Sequence, residues 1–369
     1  MAGVFERFAD GIPVFFWKGL VMSMDDYRYG QGYFGQQPGY SQYGWTPPSP
    51  QAAQRRAIRK TATWMGLMLI LFFIASRVSA YFIYFLAMML FPDAYNGYSF
   101  ALSEVQTELL SILQYVGIML VPIVFGLIAL RIPFRAAFPR RKAPAELTVL
   151  AIPVMLALTV FSSLIISVLS AFFSAFGVVP YFPDMQAPQT LPAQLLYVLY
   201  LAVFPAFLEE FLFRGVIMQS LRRFSDSFAL VVSSVLFGLV HGNLIQAPNA
   251  FLLGLCIGYF VLRTNNLFTG IVLHFVNNLI SLLLQYAVQD LSEYSQNLLV
   301  VILYASYLLL GFLAVVILSR RYTDMFSLKQ KHTELPFPRQ MRAFFSSPAI
   351  LISFIFILQV TVQYFREIP

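Results

Sequence analysis

Charge is scarce in this chain. Asp, Glu, Lys and Arg make up 11% of its 369 residues while 59% are hydrophobic, against roughly 25% charged in a soluble globular protein. A water-soluble domain is excluded. Cysteine is scarcer still: the single one, Cys256, lies inside an apolar run, so there is no disulfide framework and no paired-cysteine metal site. Also missing are H-E-x-x-H, the G-x-S-x-G turn of serine hydrolases, and any aspartate within an apolar run. Those absences remove the zincin signature, the usual serine nucleophile and a two-aspartate protease.

What is present is a series of long apolar runs, near 62–91, 109–130, 147–176, 194–219, 228–248, 250–268, 270–289, 298–319 and 346–365. Runs of roughly 18 residues or more read as membrane spans, so the chain is expected to be an all-α, polytopic transmembrane bundle of about eight or nine spans. The runs at 62–91 and 147–176 correspond to roughly 45 Å of helix and must tilt or project beyond a hydrocarbon core of about 30 Å. Ahead of this 61–365 membrane domain, residues 1–60 contain a Gly, Gln, Tyr and Pro tract without periodicity, expected to be a largely disordered tail. The short apolar stretch at Phe15, Phe16 and Trp17 follows Glu6 and Asp10 instead of a basic flank, which reads as an interfacial helix better than as a signal peptide.

The formal net charge is +7, and its placement explains it. Arg55, Arg56, Arg59 and Lys60 precede the first run, and alternate connections then carry Arg131 to Lys142, Arg222 and Arg223, Arg263, and Arg320 to Arg342. The intervening connections 92–108, 177–193, 241–249 and 290–297 contain no Lys or Arg. By the positive-inside rule the N-terminal side is cytoplasmic, and nine spans put the C-terminus outside. Basic residues placed this way predict a multi-pass protein of the cell membrane with anionic lipid headgroups as partner, and no nucleic acid.

Ionisable residues inside apolar runs are costly in lipid and mark function by default. They are Arg77, Glu209, Glu210, Arg214, His241 and His274, with Asn278 beside them. Glu210 and Arg214 are four apart and share a helix face, so they can pair; Glu209 lies about 100° round the helix and faces another neighbour. A carboxylate in such a pocket suits a general base that takes a proton from water. His274 and Asn278 also point from one face. Glu209, His241 and His274 fall at comparable depth from the basic side, so they can meet. His332, in a basic connection, reads as an ordinary solvated side chain, and Arg77 either snorkels to the outer interface or meets a carboxylate of another helix.

Taken in order, Glu209-Glu210-x-x-x-Arg214, Phe237-x-x-x-His241 and His274-x-x-x-Asn278 resemble the EExxxR, FxxxH and HxxxN/D motifs of the CPBP family, the type II CAAX prenyl protease and bacteriocin-processing intramembrane peptidases. The likeness covers about 194–290. It implies a helix bundle around a cavity open to the cytosol and endopeptidase activity on membrane-associated proteins or peptides. By carry-over, Glu209 with His241 activates water, His274 and Asn278 hydrogen-bond the oxyanion, and Glu210 with Arg214 is chiefly a structural pair. A glutamate and histidine mechanism requires no cofactor. The alternative is zinc, with Glu209, His241 and His274 as ligands. Outside hydrolysis, the same polar residues fit a proton-coupled transporter, or a non-catalytic bacteriocin-immunity or interaction protein of this family. No pair of broken helices repeats between halves, which weakens transport.

Overall fold

A computed structural model describes residues 48–181, 183, 186–328 and 332–367. The stretch around Phe15 to Trp17 and the Gly, Gln, Tyr and Pro tract up to residue 47 lie outside the described residues. Helix α1, Pro50–Leu90, begins earlier than the expected 61. The reason is a complete start signal: Ser49 Oγ accepts from the Ala52 N–H at 3.3 Å and Pro50 occupies the first turn, where a missing N–H costs nothing. The boundary of the tail therefore moves from 60 to 49.

After α1 come α2 (Glu104–Ala129), which opens on a Ser103–Gln106 capping box, a single helical turn α3 (Phe134–Ala137) and α4 (Ala145–Ser174). Then follow strand β1 (Val178–Pro180), α5 (Leu191–Leu221), α6 (Asp226–Val240), α7 (Ala247–Thr264) and α8 (Leu267–Val288). The chain continues through α9 (Glu293–Arg321), α10 (Phe337–Phe345), α11 (Pro348–Val362) and β2 (Phe365–Glu367). Seven of these helices are long and apolar enough to cross a membrane, and α10 with α11, bent by 69°, makes an eighth if counted as one span. The all-α polytopic bundle is what the apolar runs predicted.

The exception is α6. Its apolar run extends to 248, yet the helix has 15 residues, roughly 22 Å. His241, Gly242 and Asn243 stop it. Gly242 turns with φ +65°, a conformation that disfavours a side chain, and Asn243 Oδ1 accepts from the Gln246 N–H at 2.8 Å to close the next turn. Consequently His241 sits at the end of α6, inside the bundle.

α1 packs against α2 and α11; α4 lies against α7 and α9; α7 is clasped between α6 and α8, and α8 runs along α5. The buried core is densest where α5, α6 and α7 meet, around Phe213, Val216, Ile217, Phe228, Phe237, Ile257 and Phe260. The basic connections converge on one end. There Arg223 hydrogen-bonds Thr61, Arg222 reaches Asn265 at 2.9 Å, Asn266 donates to Arg141 O at 3.0 Å, Arg263 donates to Ser327 O at 3.1 Å and Arg321 pairs with Glu146. At the other end β1 and β2 pair antiparallel, and Glu104 accepts from the Gln189 and Thr190 N–H groups, each at 2.9 Å. Arg77 donates to Gln363 at 3.2 Å near that second end, so its partner is an amide rather than a carboxylate.

Candidate active site

The site is built on an irregular helix. Within α5, residues Leu199–Val203 and Phe211–Ile217 are π-helical, and the seven α-helical residues Phe204–Glu210 between them carry both glutamates. Such bulges recur at functional sites because they rotate side chains out of the regular register. Pro205 explains part of the irregularity. It has no N–H for the carbonyl four residues earlier, which is Leu201, and Asn278 of α8 supplies the donor instead, Nδ2 to Leu201 O at 3.0 Å. The Asn278 oxygen accepts from Asn277 at 3.1 Å.

Glu210 is the most tightly held acid. Its Oε1 accepts from Arg214 Nη1 at 2.7 Å and lies 2.9 Å from His274 Nδ1, and both Glu210 and Arg214 are fully buried. The expected Glu210–Arg214 pair is thus present, and it also orients an imidazole. Gly270 makes room for it: a Cβ there would stand 2.9 Å from Glu210 Oε2 and 2.8 Å from Val261 Cγ2. Phe237 forms the floor. The Arg214 guanidinium lies 4.4 Å above its ring, and the rings of His241 and His274 meet it edge-on at 5.1 and 5.7 Å. A phenylalanine at this place spaces two imidazoles while giving the buried cation an aromatic face.

Glu209 faces elsewhere, as the helical angle requires. Oε1 accepts from the Tyr115 hydroxyl of α2 at 2.6 Å, and Oε2 lies 3.9 Å from His274 Nε2. The side chain is 16% exposed, against 0% for Glu210, so it is the carboxylate with access. His241 Nδ1 is 2.8 Å from Phe237 O, which leaves Nε2 as the nitrogen available to a reacting group. His274 therefore stands between the two glutamates, touching Glu210 and facing Glu209, while Asn278 on the same helix face engages the backbone of α5. Sequence reasoning grouped His274 with Asn278 as equivalent donors; their observed partners differ.

Residues 191–280 match the family model described as type II CAAX prenyl endopeptidase Rce1-like. Over that segment the chain is similar to CPBP-family intramembrane peptidases. No curated protein and no solved structure matches the chain. At family level the matched segment supports a CAAX-type intramembrane protease, and it contains all seven motif positions from Glu209 to Asn278. The helices α1 to α4 and everything after α8 lie outside it.

The fit of these side chains to zinc is a matter of ligand placement. Zinc takes three or four protein ligands at about 2.0–2.3 Å. Among the described residues no three His, Cys, Asp or Glu side chains are placed to hold a metal ion.

Two contributors were not legible in the motifs. Tyr115 lies 94 residues before Glu209 in a run whose aromatic residues look alike. Gly270 sits four before His274, on the same face, and that spacing was the available signal.

Proposed function

We propose that this CPBP protein is an endopeptidase of the cell membrane that hydrolyses peptide bonds of membrane-associated substrates, with Glu209 as base. The observation that carries it is the asymmetry of the two adjacent acids. Glu210 is spent on Arg214 and His274, whereas Glu209 keeps Oε2 directed at the space before His274 Nε2, 3.9 Å away, a separation suited to a bridging water.

Glu209 Oε2 takes a proton from water while the oxygen adds to the scissile carbonyl carbon, and His241 Nε2 steadies the same water. The negative charge passes to the carbonyl oxygen, which hydrogen-bond donors stabilise. Collapse breaks the C–N bond, and the proton held by Glu209 goes to the leaving amine. His274 is a donor to the oxyanion only when its ring carries both protons, since Nδ1–H is directed at Glu210. Asn278 has a second amide hydrogen beyond the one given to Leu201. Metal chemistry has no part in this reading. The convergence of basic connections at one end supports an N-terminus on the cytoplasmic side.

Comparing the peptides released by membranes carrying the wild-type protein with those carrying Glu209→Ala tests this. A set of peptides that disappears in the variant is expected, and it identifies the substrates; identical peptide profiles at equal protein levels refute the assignment.

A further inference from the structure

Tyr115 belongs to α2, outside the segment that matches the family, and no motif points to it. Its hydroxyl is 2.6 Å from Glu209 Oε1, the length of a hydrogen bond from a hydroxyl to an ionised acceptor. The ring is half-buried and meets Tyr200 of α5 edge-on, 6.1 Å between centroids at 81°. Its aromatic body therefore has a packing partner of its own, separate from what the hydroxyl does.

Glu209 needs an outside restraint. Glu210 is fixed by Arg214 four residues on and by His274 across the helix pair. Glu209 has no corresponding partner on α5, and it sits two residues before a π-helical segment begins. A carboxylate on such a helix would sample several rotamers. Tyr115 selects one. With one lone pair of Oε1 engaged by the tyrosine, Oε2 is the oxygen with both lone pairs free of Tyr115, and it is also the one facing His274 Nε2 at 3.9 Å.

We propose that Tyr115 is a positioning residue that holds Glu209 so that Oε2, and not Oε1, takes the proton from water. This rests on the reading of Glu209 as the base. A purely structural tie between α2 and α5 is the competing role, but those helices already interlock nearer the basic end, where Gly126 lets Val216 approach to 2.8 Å of where a Cβ would be.

The test uses the purified full chain and a synthetic peptide spanning a cut that is lost in Glu209→Ala membranes. Tyr115→Phe keeps the ring and removes the donor. It is expected to lower kcat by about 10- to 100-fold, the worth of one hydrogen bond to a charged group, with KM and Tm unchanged. Adding Tyr115→Phe to Glu209→Gln is expected to lower the residual rate no further, because the two act through one carboxylate. Wild-type kcat in Tyr115→Phe overturns the proposal while leaving the base assignment intact. So does a loss confined to KM or accompanied by a matching fall in Tm, which marks a structural tie. If no cut depends on Glu209, the assignment of the base fails and this inference fails with it.

Discussion

Asn278 repairs the helix that Pro205 interrupts: its Nδ2 donates to Leu201 O at 3.0 Å, the carbonyl that a proline N–H cannot serve. A motif residue expected to face substrate thereby has a backbone duty on α5 as well. In Asn278→Ala, a partly buried carbonyl loses its side-chain donor, and a destabilisation of about 0.5–1.5 kcal/mol is expected. In a Pro205→Ala background the residue 205 N–H returns to Leu201 O, so thermal unfolding in detergent should show most of that loss gone. Equal losses in both backgrounds would mean that the hydrogen bond contributes nothing.

Removing the base separates chemistry from folding. Glu209→Gln and His241→Ala are expected to reduce cleavage to a small residual rate while Tm and chromatographic behaviour stay close to wild type, since Glu209 is the more exposed acid and His241 ends α6. Cleavage at the wild-type rate by either purified variant contradicts the roles given to them.

Glu210 behaves in the opposite way. Glu210→Ala leaves the fully buried Arg214 without its carboxylate, for which a loss of about 3–5 kcal/mol is expected. Replacing both partners, Glu210→Leu with Arg214→Met, is expected to recover much of the stability but not the activity, because His274 Nδ1 loses its acceptor. Unfolding midpoints and cleavage rates of the single and double variants decide this.

Gly270 gives a steric test. Gly270→Ala puts a methyl group 2.9 Å from Glu210 Oε2 and 2.8 Å from Val261, so α8 must move away from α5 and both Tm and activity should fall. Gly117→Ala is the control: nothing lies within 4 Å of its added Cβ, and in the interior of α2 it should be neutral or stabilising by about 0.5–1 kcal/mol. A Gly270→Ala protein as stable and active as this control would show that the close approach is dispensable.

Chelation addresses the donor set. With no three ligating side chains gathered among the described residues, cleavage is expected to persist after prolonged treatment with a strong chelator. Loss of activity restored by added zinc would show that Glu209, His241 and His274 rearrange to ligate it.

The membrane class, the alternation of basic connections and the seven motif positions were all readable in the amino-acid order. Hydrophobicity and charge act residue by residue on the choice between lipid and water, so counting suffices for them. Helical spacing also told correctly that Glu209 and Glu210 face different neighbours, because 100° per residue is a property of the helix alone. Reading the ends of helices from apolarity was less successful. α1 starts at Pro50 and α6 stops at Val240, since capping and a glycine turn decide termini while hydropathy is blind to both.

Only the tertiary structure decided which neighbour each face meets. Tyr115 reaches Glu209 across 94 residues, Asn278 reaches Leu201 across 77, and His274 reaches Glu210 across 64. Spacing along one helix defines the direction of a side chain, but the group opposite depends on how separate helices dock, through close approaches such as that at Gly270. The sequence by itself therefore determined that two acids, two imidazoles and an amide lie within the membrane on defined helix faces. Packing determined that one acid is locked, that the other is held by a tyrosine from a helix without a motif, and that the amide serves a proline-broken backbone.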